Sequence, residues 1–182
     1  MKVRDSGMPD EAYWETLFDV PLILSRLRID RFHDVAEFGC GYGTFTIPIA
    51  RAVGGVVYTF DVEREMVART VARAAGLCVV ASYRDVMEFG FGVSADAVLL
   101  FNVLHCDEPT RLLRHAAEAL RPGGEVLIIH WCYGDTPRGP NLDIRPRPEN
   151  ICDWAADVGL GQVGEVVDLP PWHYGLRFSL DR

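Results

Sequence analysis

Short apolar runs alternate with helical patterns along this chain. The runs fall at 34–38 (DVAEF), 56–60 (VVYTF), 77–80 (LCVV), 97–101 (AVLLF) and 126–131 (VLIIHW). Each is a β-branched or apolar stretch of strand length, and five such runs predict five buried strands. Between them, 44–53, 63–76 and 108–124 carry apolar residues at helical spacing, the last closing on the Pro and Gly that follow a helix. Repeated strand and helix alternation predicts a parallel sheet wound on both faces, a single α/β domain. Ahead of it, Tyr13, Leu17, Phe18, Leu22 and Leu24 recur at helical intervals over 9–29, where Pro21 is expected to bend or split the segment. After a further helical pattern at 149–158, the runs 163–169 and 174–180 flank Pro170 and Pro171 and predict an antiparallel hairpin at the end of the sheet. The expected sheet has seven strands, with 1–30 as a helical lid and 134–148 as a proline-rich linker.

Composition narrows the function classes. A chain of 182 residues, 49% hydrophobic, suits one full core. Its 18 basic against 26 acidic residues give a net charge of -8, a field that repels polyphosphate. Arg138, Arg145 and Arg147, separated by prolines, amount to less than a groove that tracks a nucleic-acid backbone. No apolar run approaches the ~20 residues of a membrane span, and the first residues lack the apolar core of a secretory signal. Cys40, Cys78, Cys106, Cys132 and Cys152 are odd in number and form no CxxC pair. A reducing, cytoplasmic setting without disulfide, structural zinc or other metal is the expectation.

The chemistry gathers at strand ends. Phe38 runs into Gly39, Cys40, Gly41, Tyr42 and Gly43 before a helix, so the backbone turns sharply where the missing Cβ atoms let a ligand touch the main chain. Glycines alone suit any strand-helix turn. Asp61 closes the second strand, where a carboxylate accepts hydrogen bonds from both hydroxyls of a ribose. Asp85, just past the third strand, is placed to accept from an adenine amino group while the Val86 amide donates to the ring; its plainer reading is a loop aspartate. Phe101 and Asn102 end the fourth strand, where a carbonyl or amide can meet an ammonium group, or Asn102 can simply cap the strand.

With VAEFGCGYGT, FDVE, RDVM, FNVLH and LRPGGEVLI in this order, the chain resembles the class I, seven-stranded Rossmann-like S-adenosylmethionine-dependent methyltransferases. The glycines run GxGxG, not the GxGxxG of dinucleotide enzymes. The resemblance covers the chain from about residue 34 to the final hairpin. It implies that Glu37 helps hold the methionine end of the cofactor, that the turn of Phe38, Gly39, Cys40, Gly41 and Gly43 lies against its sugar and sulfur, and that Asp61 and Asp85 serve ribose and adenine. Val62 then covers one adenine face. S-adenosylmethionine is the implied methyl donor and S-adenosylhomocysteine the product.

Methyl transfer from a sulfonium is an in-line displacement that depends chiefly on alignment and exclusion of water. Where the acceptor must lose a proton, His105 and His130, at the functional edge of the sheet, are the candidate bases, while His33, His115 and His173 read as structural or exposed. Tyr13 and Trp14 are candidate acceptor contacts, against an alternative in which the leading aromatics simply pack. Arg138 and Arg145 in the linker are candidate clamps for a carboxylate or phosphate, implying an anionic small-molecule acceptor. Two rival readings stand beside methyl transfer. A nicotinamide-dependent oxidoreductase shares the turn and Asp61 but leaves Asp85 and FNVLH without work, and a non-catalytic S-adenosylmethionine-binding protein needs no acceptor pocket. Asn102 is followed by Val103 and Leu104 rather than by the Pro-Pro-aromatic run of many base-directed amino methyltransferases, which lowers the case for nucleic acid as acceptor.

Overall fold

The computed structural model describes residues 8–180, so the ends of the expected 1–182 domain lie outside the described residues. The leading segment splits as Pro21 predicts. Helix α1 (Glu11–Glu15) starts on Asp10, whose carboxylate accepts from the Tyr13 amide, and α2 (Val20–Arg26) restarts on Asp19, which accepts from the Leu22 amide. Pro21 sits in the first turn of α2, where its missing N–H leaves no hydrogen bond unmade.

Strand β1 (Val35–Phe38), helix α3 (Thr46–Ala52), β2 (Val57–Asp61), α4 (Arg64–Arg73), β3 (Val79–Tyr83), α5 (Val86–Phe89), β4 (Ala95–Phe101), α6 (Pro109–Glu118) and β5 (Leu120–Trp131) then alternate. Helix α7 (Pro148–Ala156) precedes β6 (Leu160–Gln162), β7 (Val167–Leu169) and β8 (His173–Leu180). The sheet runs β3-β2-β1-β4-β5-β8-β6, with β7 also paired to β8. Neighbours from β3 to β5 are parallel, and β8 is antiparallel to β5, β6 and β7.

Eight strand segments therefore fill seven positions. Strands β6 and β7 share one edge of β8, β6 against its C-terminal half and β7 against its N-terminal half. The three residues of β6 are too few for period-two patterning to register, which is why the sequence predicts seven strands. Two boundaries also move. The helix expected over 108–124 stops at Glu118, because Pro122 and Gly123 (φ +81°) cannot continue it; the chain enters β5 instead, with a register shift between Ala95 and Ala97 on the partner strand. The third strand lies at 79–83 rather than 77–80, on an edge of the sheet where Val80 and Tyr83 stay exposed.

Side-chain alternation splits the core in two. Val98 and Leu100 of β4 and Val126 and Ile128 of β5 pack against α5, α6 and α7, while Ala97, Leu99, Leu127 and Ile129 face α2 and α3. Such strands are buried on both faces, as a doubly wound sheet requires. The strand order reverses between β1 and β4, so a crevice opens beyond their C-terminal ends. At the opposite edge, His33, Asp34 and Asp96 lie close together, but Arg121 already bonds both carboxylates.

Candidate functional site

A cleft of about 990 Å³ occupies that crevice. Its floor and walls come from the turn after β1, Asp61 and Val62 after β2, the segment after β4, Trp14 of α1, and the loop 134–145 beyond β5. Two glycines of the turn explain its composition. Gly39 (φ +86°) lies so close to β4 that a Cβ would meet Val103 Cγ1 at 3.2 Å, and Gly43 (φ +79°) would meet Thr70 Oγ1 at 3.2 Å. The turn is thus wedged between the segment after β4 and α4 and adopts a backbone that side chains disfavour.

Hydrogen bonds fix the turn further. The Gly41 amide donates to Asp61 Oδ2 at 3.0 Å, Thr70 Oγ1 donates to the Gly41 carbonyl at 3.2 Å, and the Gly39 amide donates to the Phe60 carbonyl at 2.7 Å. Asp61 Oδ1 accepts from the Glu63 amide at 2.9 Å. Asp61 is largely buried yet lines the cleft, so one carboxylate ties the turn to the end of β2 and also faces a ligand. Phe38, Cys40, Gly41, Val62, Phe101 and Asn102 line the same cleft. Burial, and then the nearby Asp61, push the Cys40 thiol far up and disfavour its thiolate.

Several sequence-predicted residues stand behind the wall instead. Glu37 points into the protein, where its Oε2 accepts from Thr46 Oγ1 at 2.5 Å and Thr59 Oγ1 at 2.7 Å, and burial pushes its carboxyl up to about 7. It braces β1 against α3 and β2 and does not line the cleft. Gly43 is turned toward α4. Asp85 caps α5 by accepting from the Met87 amide at 2.9 Å, and Val86 is fully buried; neither lines the cleft. Tyr13 is exposed, one position round α1 from Trp14, which does line it.

The two candidate bases separate. His105 lines the cleft, with its ring centroid 5.6 Å from that of His130. His130 is fully buried and off the wall, because β5 alternation turns Trp131 to the cleft and His130 to the other face beside Tyr174. Burial, and then the neighbouring His105, hold His130 well below the usual histidine range, keeping it neutral. His173 is likewise buried, stacked on Phe18 at 4.6 Å, with burial lowering it to about 3.

Arg138 and Arg145 both line the cleft. Arg145 is mostly engaged with its own loop: Nε and Nη2 donate to the Pro140 carbonyl, and Nη1 donates to the Cys132 and Gly134 carbonyls and to Thr136 Oγ1. Gly139 passes so close that a Cβ there would lie 2.9 Å from both Arg145 Nη2 and the Trp131 ring, so the loop is pressed onto β5. The guanidinium is thus held by neutral acceptors of its own loop, on a cleft wall that also carries Asp61, Glu63, Asp107 and Asp135.

Sequence reasoning missed Phe45, Met66 and Trp131 as lining residues. Phe45 and Phe101 meet edge to face at 5.1 Å, and Trp14 and Trp131 at 6.4 Å, forming an apolar wall. Trp131 closes the fifth strand just as Phe101 closes the fourth, which was the available signal. Thr44 Oγ1 and both amide atoms of Asn102 are buried without a hydrogen-bond partner among the described residues. Asn102 has φ +56°, a conformation that asparagine tolerates.

A family model described as a methyltransferase domain matches residues 35–124. The chain is 30% identical over 154 residues to the 27-O-demethylrifamycin SV methyltransferase of Amycolatopsis mediterranei, covering 81% of this chain and 52% of that protein. It spans about half the length of the first curated relatives it matches. A SAM-dependent methyltransferase of Aquifex aeolicus superimposes with a TM-score of 0.79 at 22% identity, covering 93% of both chains. The magnesium protoporphyrin IX methyltransferase of Synechocystis, solved with SAH, gives 0.72 at 18% identity over 96% of this chain and 90% of its own. By its sequence match and its Rossmann-like sheet, the chain belongs to the class I S-adenosylmethionine-dependent methyltransferases.

Proposed function

We propose that this protein transfers a methyl group from S-adenosylmethionine to an anionic small-molecule acceptor. The observation that carries the reading is Asp61, whose carboxylate holds the Gly41 amide and lines the cleft at the switch point of the sheet. Partly free acceptor capacity on that carboxylate suits a ribose diol. The glycine turn gives the backbone access that the sugar and sulfur need, and Val62 and Phe101 supply apolar surface. Asp85 and the Val86 amide would serve adenine only after the short α5 turn, which Asp85 now caps, shifts toward the cleft. The SAH-bound Synechocystis neighbour and the relative named for demethylrifamycin support the donor and the small-molecule class.

The cofactor, when bound, supplies an electrophilic methyl on a sulfonium. The residues of this chain orient and desolvate: the Trp14, Phe45, Phe101 and Trp131 wall excludes water, and the loop 134–145 closes the acceptor side. His105, on the wall, takes the acceptor proton; His130, buried behind it, has no access to the cleft. Arg138 and the charge of Arg145 favour an acceptor bearing a carboxylate or phosphate. The five cysteines are all free, which suits the cytoplasm. The test is a transfer assay with labelled methyl donor across a panel of hydroxy acids and their neutral amides. Labelling of acids over amides supports the reading, and labelling of amides alone, or of nothing in the panel, contradicts it.

A further inference from the structure

A second cavity, of about 440 Å³, adjoins the cleft. The two share His105, Cys106, Asp107, Ile144 and Arg145 as lining, so one partition separates them, made by the segment after β4 and the end of the loop 134–145. On its far side the cavity is bounded by Leu104, Pro109, Pro146 and the α7 residues Asn150 and Trp154, with exposed Asp143 at the rim. Pockets for small organic ligands usually span about 300–1,000 Å³, so this one has room for a ring.

The walls are held in place. Arg145 is pinned by the carbonyls of Cys132, Gly134 and Pro140 and by Thr136 Oγ1. The Pro146 carbonyl accepts from Tyr174 Oη at 2.8 Å, Asn150 Oδ1 accepts from the Arg147 amide at 2.9 Å, and half-buried Trp154 packs on the core. A cavity restrained in this way loses little freedom when a ligand enters. Its chemistry is one-sided. Leu104, Ile144, Pro146 and Trp154 supply apolar surface, and Asp107 and Asp143 supply carboxylates. Arg145, the one cation of the lining, spends its donors on its own loop, so an anion gains little there.

We infer that the second cavity receives the far end of the methyl acceptor, an apolar ring or chain bearing hydroxyl or ammonium donors. Resting on the acceptor reading above, the inference places the reacting end at His105 in the cleft and carries the molecule over the partition beside Cys106 and Ile144, both half-buried. The far end then lies on Trp154, and its donors meet Asp143. An ammonium there gains a further attraction to the indole face.

Nuclear magnetic resonance of the indole N–H groups tests the site without requiring transfer. Trp154 is identified among the four tryptophans by Trp154→Phe. Phenyl β-glucoside carries hydroxyl donors, phenethylamine carries an ammonium, and 3-phenylpropionate carries a carboxylate. At least one of the first two is expected to shift the Trp154 signal saturably, and which one does so names the donor; 3-phenylpropionate is expected to leave it in place. Asp143→Asn should weaken the bound probe about threefold, the modest loss of an exposed contact. In the labelled-methyl assay, the same variant should raise the KM of hydroxy acids bearing a distal sugar or amine relative to short ones, with kcat held. The inference is overturned if neither donor probe shifts Trp154, if 3-phenylpropionate shifts it equally, or if Asp143→Asn leaves both probe affinity and the KM ratio unchanged. Saturable binding at Trp154 with no transfer to any hydroxy acid overturns the acceptor reading and the link across the partition, while the cavity stands as a binding site.

Discussion

Replacing Asp61 by alanine removes more than one contact. Its two oxygens hold the Gly41 and Glu63 amides at 3.0 and 2.9 Å, and the same carboxylate is the proposed ribose ligand. A hydrogen bond to a charged acceptor contributes about 1.5–3 kcal/mol, so loss of the ribose contact alone corresponds to an affinity loss of roughly 10- to 150-fold. Release of the Gly41 amide adds to this by loosening the turn, and it also lowers stability. Asp61→Asn keeps one oxygen acceptor and loses the charge, so it should fall between alanine and wild type in both respects. Calorimetric titration with S-adenosylhomocysteine measures the affinities, and urea unfolding measures the stability. Affinity within about twofold of wild type in a folded Asp61→Ala protein refutes the reasoning, because the carboxylate would then face no ligand.

Other residues make further outcomes measurable. Glu37, lifted to about 7 by burial, keeps a proton in the folded chain that the unfolded chain releases above its ordinary 4.5. Its contribution to stability therefore falls as pH rises from 4.5 to about 7, by roughly 3 kcal/mol, and is flat beyond. Glu37→Gln should gain on the wild type across that window in urea unfolding; a difference that does not vary with pH speaks against it. His173 has the opposite sign: depressed to about 3, it stabilises fully only above its ordinary 6.5 and loses that contribution as pH falls. His173→Phe, stacked on Phe18 in its place, should gain on the wild type as the solution is acidified below about pH 6, and a constant gap would count against the buried neutral imidazole. Arg145→Met strips donors from the Cys132, Gly134 and Pro140 carbonyls; it should cost about 2–3 kcal/mol and open the loop 134–145 to limited proteolysis, with S-adenosylhomocysteine affinity held. Unchanged proteolysis would remove Arg145 as the staple of that loop.

The strand and helix order was legible because buried parallel strands read as continuous apolar runs, and β1, β2, β4 and β5 all do. The short β6 and the end of α6 were not, since three residues carry no period and a Pro-Gly pair marks the end of a helix and a bulge equally well. In the site, Asp61 and the glycine turn were readable from strand ends. The facing of single side chains was not. Neighbours such as Tyr13 and Trp14, or His130 and Trp131, differ only by which way the local backbone turns them, and that depends on the register of β5 against β8 and the seating of α1. Arg145 was read as a clamp because its chemistry fits one, whereas the carbonyls that occupy it belong to a loop with no periodic signal.

The most direct measurement is a calorimetric titration of the wild-type protein with S-adenosylhomocysteine and, separately, with NAD. A cleft built around Asp61, the glycine turn and the apolar wall of Phe45 and Phe101 is predicted to bind S-adenosylhomocysteine at one site and NAD far more weakly. Saturable NAD binding tighter than that of S-adenosylhomocysteine, or no binding of S-adenosylhomocysteine at all, would contradict it.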